Sequence, residues 1–292
     1  MDIVDYENFD WITYIRINYD LRKNNIINKD TAWYHWKNHG CKEERPISFI
    51  NNTNIHNGRL GNLFFVNMVA HFISIKINLK CRYKYFSKFE KLGIYLHIGN
   101  NIYQNNLLIT DNNFFDIIRN EDLNEQNIII NNNSWFQTYE FALFLKTYFS
   151  LTYNRTKIIE NNIFQKRYKN NNDLFIHIRL GDIENQTSNM GDYYEKLLST
   201  SEFVTGYITS DTIEHSLCQN LIHKYNLLVI NKDEIETIMF GSTCNTIILS
   251  GGTFSWLIGF FAFFSDKIYY PNIKNPWYGD IFKFNHWTSV NL

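Results

Sequence analysis

From residue 174 onward, short apolar runs alternate with segments of helical length, and that alternation restricts the chain to α/β layering. The runs at 174–178, 203–209, 227–230, 246–250 and 267–270 read as strands. Between them, 212–225, 234–240 and 256–264 have the length and periodicity of helices. Upstream, 128–130 reads as a strand, 63–70 as a buried helix and 141–149 as a helix. A βαβαβ succession after residue 173 is the pattern of a nucleotide-binding half, in which ligands sit outside the carboxyl ends of the strands.

Chemistry-bearing residues fall at those ends. The 174–178 strand is followed closely by Arg179, Gly181 and Asp182, and it carries His177. Arginine suits a phosphate because its charge is fixed and its planar fork matches phosphate oxygens. Gly181 accommodates a tight turn, and Asp182 is able to bond the turn's own backbone. The alternative is an ordinary Gly-Asp turn with Arg179 on the surface. Gly58, Arg59, Gly61 and Asn62 form a glycine-containing loop just before the 63–70 helix, and helix N-termini favour anions. A plain loop is the competing reading. After the 246–250 strand, Gly251 and Gly252 lead into Thr253, Phe254 and Ser255, whose hydroxyls and N–H groups suit a diphosphate. Thr253 or Ser255 acting as a simple helix cap is equally compatible with this turn. Asp211 follows another strand, where an N-cap for a helix beginning at Thr212 is its structural alternative.

Taken in order, these segments resemble the motifs of the α-1,2-fucosyltransferase family (glycosyltransferase family 11) within the GDP-fucose-dependent superfamily. Gly58-Arg59-Leu60-Gly61-Asn62 matches its G-R-L-G-N-Q loop, and His177, Arg179, Gly181 and Asp182 match its H-x-R-R-G-D-Y segment. Gly252-Thr253-Phe254-Ser255-Trp256 approximates its S-x-F-S-W-W segment. The similarity spans about residues 55–275, with Leu63, Leu180, Ile183 and Leu257 departing from the pattern.

The resemblance implies a GT-B-like fold of two Rossmann-like lobes, an acceptor-side lobe over 49–168 and a nucleotide-sugar lobe over 169–292. The Asn-rich stretch 161–172 is the expected junction. It implies a metal-independent, inverting glycosyltransferase that moves fucose from GDP-fucose to a glycan hydroxyl, with no cofactor beyond the donor. By the same resemblance Arg179 carries the catalytic charge, and His177 and Asp211 face the guanine. Gly181, Asp182, Thr253, Phe254 and Ser255 lie on the donor, and Gly58, Arg59, Gly61 and Asn62 line the acceptor side of the cleft. The chain lacks the Asp-x-Asp triplet with which many glycosyltransferases hold a divalent ion. Two alternatives stay open at this point: transfer of another GDP- or UDP-linked sugar, and an inactive glycosyltransferase-fold protein that binds glycans or nucleotides.

Residues 1–48 read as a separate helical module. Phe9, Trp11, Ile12, Ile15 and Tyr19 have helical spacing, as do Ala32, Trp33, Trp36 and His39 before Gly40. Tyr14, Asp20, Leu21, Ala32, His35, Trp36, Gly40, Glu43 and Arg45 are similar to a module that adjoins glycosyltransferase domains in giant viruses and bacteria. Pro46 marks its expected end. His35 and His39 have metal-compatible spacing, yet no third ligand accompanies them, so packing is the expected role.

A net charge of −1 and a pI near 6.8 argue against general nucleic-acid binding. Cys41, Cys81, Cys218 and Cys244 form no ligand-spaced pair, and free buried thiols are expected. The acidic N-terminus offers no signal peptide, which gives the sequons at Asn51, Asn132, Asn154 and Asn185 little weight and favours a cytoplasmic setting, a virus factory or a virion. The uncharged stretch 243–264 is long enough for a membrane span but is broken by Gly251, Gly252, Thr253 and Ser255, so a buried strand-turn-helix is expected. Asn makes up roughly one residue in seven, mostly between periodic segments, and carries no chemistry of its own.

Overall fold

The structure, a computed structural model, describes residues 6–7, 9–18, 20–43, 45, 58–131, 133–181 and 190–292. Asp182, Tyr19, Pro46 and three of the sequons lie outside the described residues. The chain forms two compact units, one of Met1–His56, Asn67–Lys84 and His97–Ser134, the other of Asn57–Val66, Tyr85–Leu96 and Trp135–Leu292.

The first unit opens with three short helices, α1 (Trp11–Ile17), α2 (Asp20–Lys23) and α3 (Lys29–His35), the last running into a π-helical turn at Trp36–Gly40. Asn28 caps α3 reciprocally with Thr31, which fixes where it starts. Phe9, Tyr14, Ile15, Leu21 and Ala32 form the module's core, with Trp11, Trp33 and Trp36 packed on it. The motif residues are explained by this packing. The Tyr14 hydroxyl bonds His35 Nδ1 at 2.7 Å, and a Cβ on Gly40 would stand 2.2 Å from that hydroxyl oxygen. Arg45 reaches Asp20 at 2.7 Å and also pairs with Glu43. His35 is thus engaged in packing, and burial lowers its pKa.

Helix α4 (Leu60–Ile77) starts in the second unit and ends in the first, while α5 (Phe86–Lys91) belongs to the second. Strands β1 (Asn106–Ile109) and β2 (Asn127–Ile130), with α6 (Phe114–Arg119) between them, make a two-stranded parallel sheet in the first unit.

The second unit continues with α7 (Tyr139–Ser150) and α8 (Thr152–Asn161) and then enters its sheet. The chain runs β3 (Leu174–Ile178), α9 (Met190–Thr200), β4 (Gly206–Ser210), α10 (Ser216–Tyr225), β5 (Leu228–Val229), α11 (Glu234–Gly241) and β6 (Thr246–Ile248). It then runs α12 (Thr253–Phe260), β7 (Lys267–Asn272) and β8 (Thr288–Asn291). All neighbours pair in parallel, in the order β5-β4-β3-β6-β7-β8. Numbered by appearance within this unit, that is 3-2-1-4-5-6, the doubly wound order of dinucleotide-binding sheets. The order reverses between β3 and β6, which opens a crevice at their carboxyl ends.

Both faces of a parallel sheet are covered, which is why every residue of β3 is buried. On one face Ile176, Ile178 and Leu180 pack with Tyr193, Tyr194 and Leu221. Leu180 is 3% exposed, so a residue standing where the family pattern has a second arginine is a core residue here. On the other side of the unit, Trp256 stacks on Phe260 at 4.3 Å and meets Phe65 at 4.9 Å and Phe64 at 6.0 Å. These four rings are among the chain's aromatic residues used as core. The stretch 243–264 contains β6, a turn and α12, buried at every position but Phe254, and its lack of charge follows from burial. Among the described residues, α4 is the helix long and apolar enough to span a bilayer, and 83% of that window is buried.

The Asn-rich stretch 161–172 runs inside the second unit. Asn162 Nδ2 donates to Met239 O at 2.9 Å, and Asn171 Nδ2 to Thr243 O at 3.0 Å. Arg167 donates to Asp173 at 2.8 Å and to Thr243 Oγ1 at 3.1 Å. These bonds satisfy buried carbonyls and tie the stretch to the sheet, so the compact units are not laid out as consecutive blocks meeting near residue 168. Cys81, Cys218 and Cys244 are buried free thiols, whereas Cys41 is exposed.

Candidate functional site

The crevice is a cavity of about 430 Å³, within the range of small-molecule sites, and every lining residue belongs to the second unit. Of the residues singled out from sequence, Gly58, Arg59, Gly61, Asn62, His177, Arg179, Asp211, Thr253 and Phe254 line it. Gly181 and Ser255 stand beside it, and Asp182 is outside the described residues.

Arg179 is the first residue past β3 and projects toward the turn after β6. A Cβ on Gly252 would lie 2.9 Å from Arg179 Nη1, so the guanidinium crosses the space that glycine leaves open. Gly252 has φ +97° and ψ 158°, a conformation essentially restricted to glycine. The guanidinium carbon also sits 5.2 Å from the centre of the Trp277 ring.

Gly252 is the N-cap of α12, and no side chain caps that helix. The alternative reading, in which Thr253 or Ser255 simply caps the helix, is therefore not met. Thr253 instead donates through Oγ1 to Asn62 Oδ1 at 2.6 Å, and Ser255 Oγ is buried with no partner among the described residues. The first N–H groups of α12 thus present an uncapped positive helix end. The 58–62 loop approaches that end closely, since a Cβ on Gly61 would stand 2.6 Å from Phe254 N. Asn62 Oδ1 also accepts from Gln137 Nε2 at 3.1 Å, which leaves the Asn62 amide donors without a partner among the described residues.

His177 is buried inside β3, with Nδ1 2.9 Å from Ser250 Oγ. Burial lowers its pKa to about 4; nearby Asp211 opposes the shift and Arg179 adds to it. The imidazole is therefore neutral at physiological pH.

Asp211 does not cap a helix, because α10 starts at Ser216 with His215 as its N-cap. Its Oδ1 accepts from Leu180 N at 2.9 Å, tying the turn after β4 to the turn after β3. Gly181 is needed for space: its φ is not positive, but a Cβ there would lie 2.6 Å from Asp211 Oδ2.

Trp135, Trp277, Lys232 and Glu234 also line the crevice and were missed by sequence reasoning. Trp135 packs closely against Gly58, where a Cβ would stand 2.7 Å from Trp135 Cζ3. Lys232 donates to Glu236 at 3.1 Å, and Glu234 pairs with Lys88. Trp135, Lys232 and Trp277 sit on connections without periodic pattern, Glu234 opens α11, and only the position of Trp277 beyond a strand end offered a signal. Among the described residues no cluster of three or more His, Cys, Asp or Glu is placed to hold a metal ion. The crevice joins a fixed cation, an uncapped helix end and neutral hydrogen-bonding groups in one place, an arrangement suited to a phosphorylated ligand. No protein-family model, no curated protein and no solved structure matches this chain.

Proposed function

We propose that the crevice binds a nucleoside diphosphate sugar, GDP-fucose in the first instance, and that the chain transfers the sugar to a glycan hydroxyl without a metal ion. The observation that carries this reading is the convergence of the Arg179 guanidinium with the uncapped end of α12 across Gly252. The reading includes a GT-B arrangement in which the six-stranded unit is the donor lobe.

In such a transfer the bond from sugar C1 to the β-phosphate oxygen breaks while the acceptor oxygen bonds C1, the nucleoside diphosphate leaves with the electron pair, and the acceptor hydroxyl's proton passes to water. Negative charge grows on the diphosphate as the ring becomes oxocarbenium-like. A fixed guanidinium and helix N–H groups aimed at that charge stabilise the transition state more than the ground state. Neutral His177 and the Asn62 amide add hydrogen bonds without adding charge. The Asp211 carboxylate is matched to the two N–H donors of a guanine edge while keeping its bond to Leu180 N. The alternative of a catalytically silent binding protein draws on the departure at Leu180, a buried core residue here, and on the added N-terminal module.

Calorimetry with GDP, UDP and GDP-fucose, followed by donor turnover in EDTA, tests the reading. GDP is expected to bind more tightly than UDP, and at about a hundred times its Kd to add about 2.7 kcal/mol of stability. Turnover of GDP-fucose is expected to survive EDTA. Equal or tighter binding of UDP overturns the guanine assignment, and turnover that requires added Mn²⁺ or Mg²⁺ overturns the metal-free mechanism.

A further inference from the structure

Five of the crevice residues come from neighbouring strand ends, and the sheet order arranges these five in a row. Glu234 follows β5, Asp211 follows β4, Arg179 follows β3, Thr253 follows β6 and Trp277 follows β7. Neighbouring strands lie about 4.8 Å apart, so each group is displaced from the next by about one strand. The row is chemically polar in one direction. Two carboxylates and Lys232 occupy the β5–β4 end, the Arg179 cation and the helix end occupy the centre, and an indole occupies the β7 end.

We infer that Trp277 is the platform for a pyranose ring, the sugar attached to the β-phosphate, and that the nucleoside lies toward Asp211 and Glu234. This assignment rests on the nucleotide-sugar reading above and adds to it the direction of the ligand and the residue that holds its sugar. Two observations carry it. Trp277 is 44% exposed, unlike the core aromatics, so part of its indole is accessible to a ligand beside the Tyr278 ring that meets it at 81° and 4.8 Å. It also lies beside the phosphate-facing groups, with the Arg179 guanidinium 5.2 Å from its ring centre and a Cβ on Gly252 placed 3.3 Å from its Cζ2. A sugar one bond beyond a phosphate held by Arg179 therefore reaches the indole. Aromatic faces are electron-rich, and the C–H bonds on the apolar face of a pyranose carry partial positive charge, so stacking is favourable. Among the described residues the row has no comparable exposed aromatic at the β4–β5 end, where hydrogen-bonding side chains suit a base and ribose.

Saturation-transfer NMR with GDP-fucose maps this directly, because each proton of the ligand reports its own contact with the protein. In the wild type, sugar protons and guanine H8 are both expected to receive saturation. Trp277→Ala, checked for folding by circular dichroism, is expected to reduce saturation of the sugar protons at least threefold and leave H8 within a factor of two. Trp277→Phe is expected to retain the sugar signal. Glu234→Gln is expected to reduce H8 and spare the sugar. Unchanged sugar protons in Trp277→Ala, uniform loss of all signals in that variant, or a Phe variant as weak as the Ala variant overturns the platform while leaving nucleotide binding in place. Loss at the sugar end in Glu234→Gln overturns the direction. If the wild type shows no saturation of any proton, GDP-fucose does not bind, and the nucleotide-sugar reading falls together with the platform built on it.

Discussion

Thr253 Oγ1 donates to Asn62 Oδ1 at 2.6 Å, joining the first residue of α12 to the first turn of α4, 191 residues earlier in the chain. Two of the three sequence motifs therefore meet by a direct side-chain bond, with the Asn62 amide turned to the crevice as donor. Asn62→Asp separates the two roles. A carboxylate still accepts from Thr253 and Gln137, so the melting temperature should stay near the wild-type value. The new negative charge beside a phosphate should weaken GDP binding at least tenfold, about 1.4 kcal/mol. Calorimetry that finds wild-type affinity would place the phosphates away from Asn62.

Arg179→Lys keeps the charge and loses the planar fork, while Arg179→Ala loses both. Both variants should fold, and both should lose transfer activity by on the order of a hundredfold or more, with Ala the worse. Steady-state kinetics on purified protein checks this. Unimpaired turnover by a folded Arg179→Ala protein would remove the central charge from the mechanism.

For Asp211, substitution distinguishes the tie to Leu180 from recognition of a base. Asparagine keeps an oxygen for Leu180 N, so Asp211→Asn should be nearly as stable as wild type while the preference for GDP over UDP collapses. Asp211→Ala should also lose about 1 kcal/mol of stability through the missing hydrogen bond. Denaturant titration and parallel GDP and UDP binding read the two effects separately. A retained GDP preference in Asp211→Asn would leave Asp211 a purely structural residue.

Gly252→Ala imposes a Cβ both on a glycine-only backbone conformation and on the space held by Arg179 Nη1. The backbone effect alone should cost about 1–3 kcal/mol. The shifted guanidinium should reduce turnover well beyond what that loss of stability explains. An alanine variant with wild-type stability and rate would show that the turn relaxes freely.

His177 and His71 have pKa values lowered to about 4 by burial, below the ordinary value near 6.5. Between those values the unfolded chain binds more protons than the folded one, so stability rises with pH across the window. Stability should be fully present above about pH 6.5 and fall as the pH drops toward 4. Each histidine contributes about 3 kcal/mol over the whole interval. Chemical denaturation at several pH values should show His177→Asn reducing the slope by about one proton. An unchanged slope would mean that His177 is readily protonated in the folded state.

Much of this arrangement was legible in the sequence because buried parallel strands are continuous apolar runs. Leu174–Ile178 was readable to the residue, and α11 and β7 nearly so. Strand β8 was not, since Thr288–Asn291 buries only Val290 at the sheet's edge, and β1, mostly exposed, hid for the same reason. Helix α12 begins three residues before its apolar run, because Gly252 rather than a polar side chain sets its start. The motif residues of the crevice were found because strand ends place them in sequence beside recognisable runs. Trp135, Gln137 and Trp277 were not found, because their place in the site depends on chain segments far away in sequence.

The row of strand ends has a consequence for divergence. Each part of the crevice hangs on its own connection, so an insertion or exchange after β5, or between β7 and β8, alters one end and leaves Arg179 and Gly252 in register on the two central strands. Descendants of such a chain can change what they recognise at either end by drifting in a single loop, whereas change at the centre requires two compensating substitutions at once. The outer connections are therefore where lineages should differ most, and the pair Arg179 and Gly252 where they should differ least.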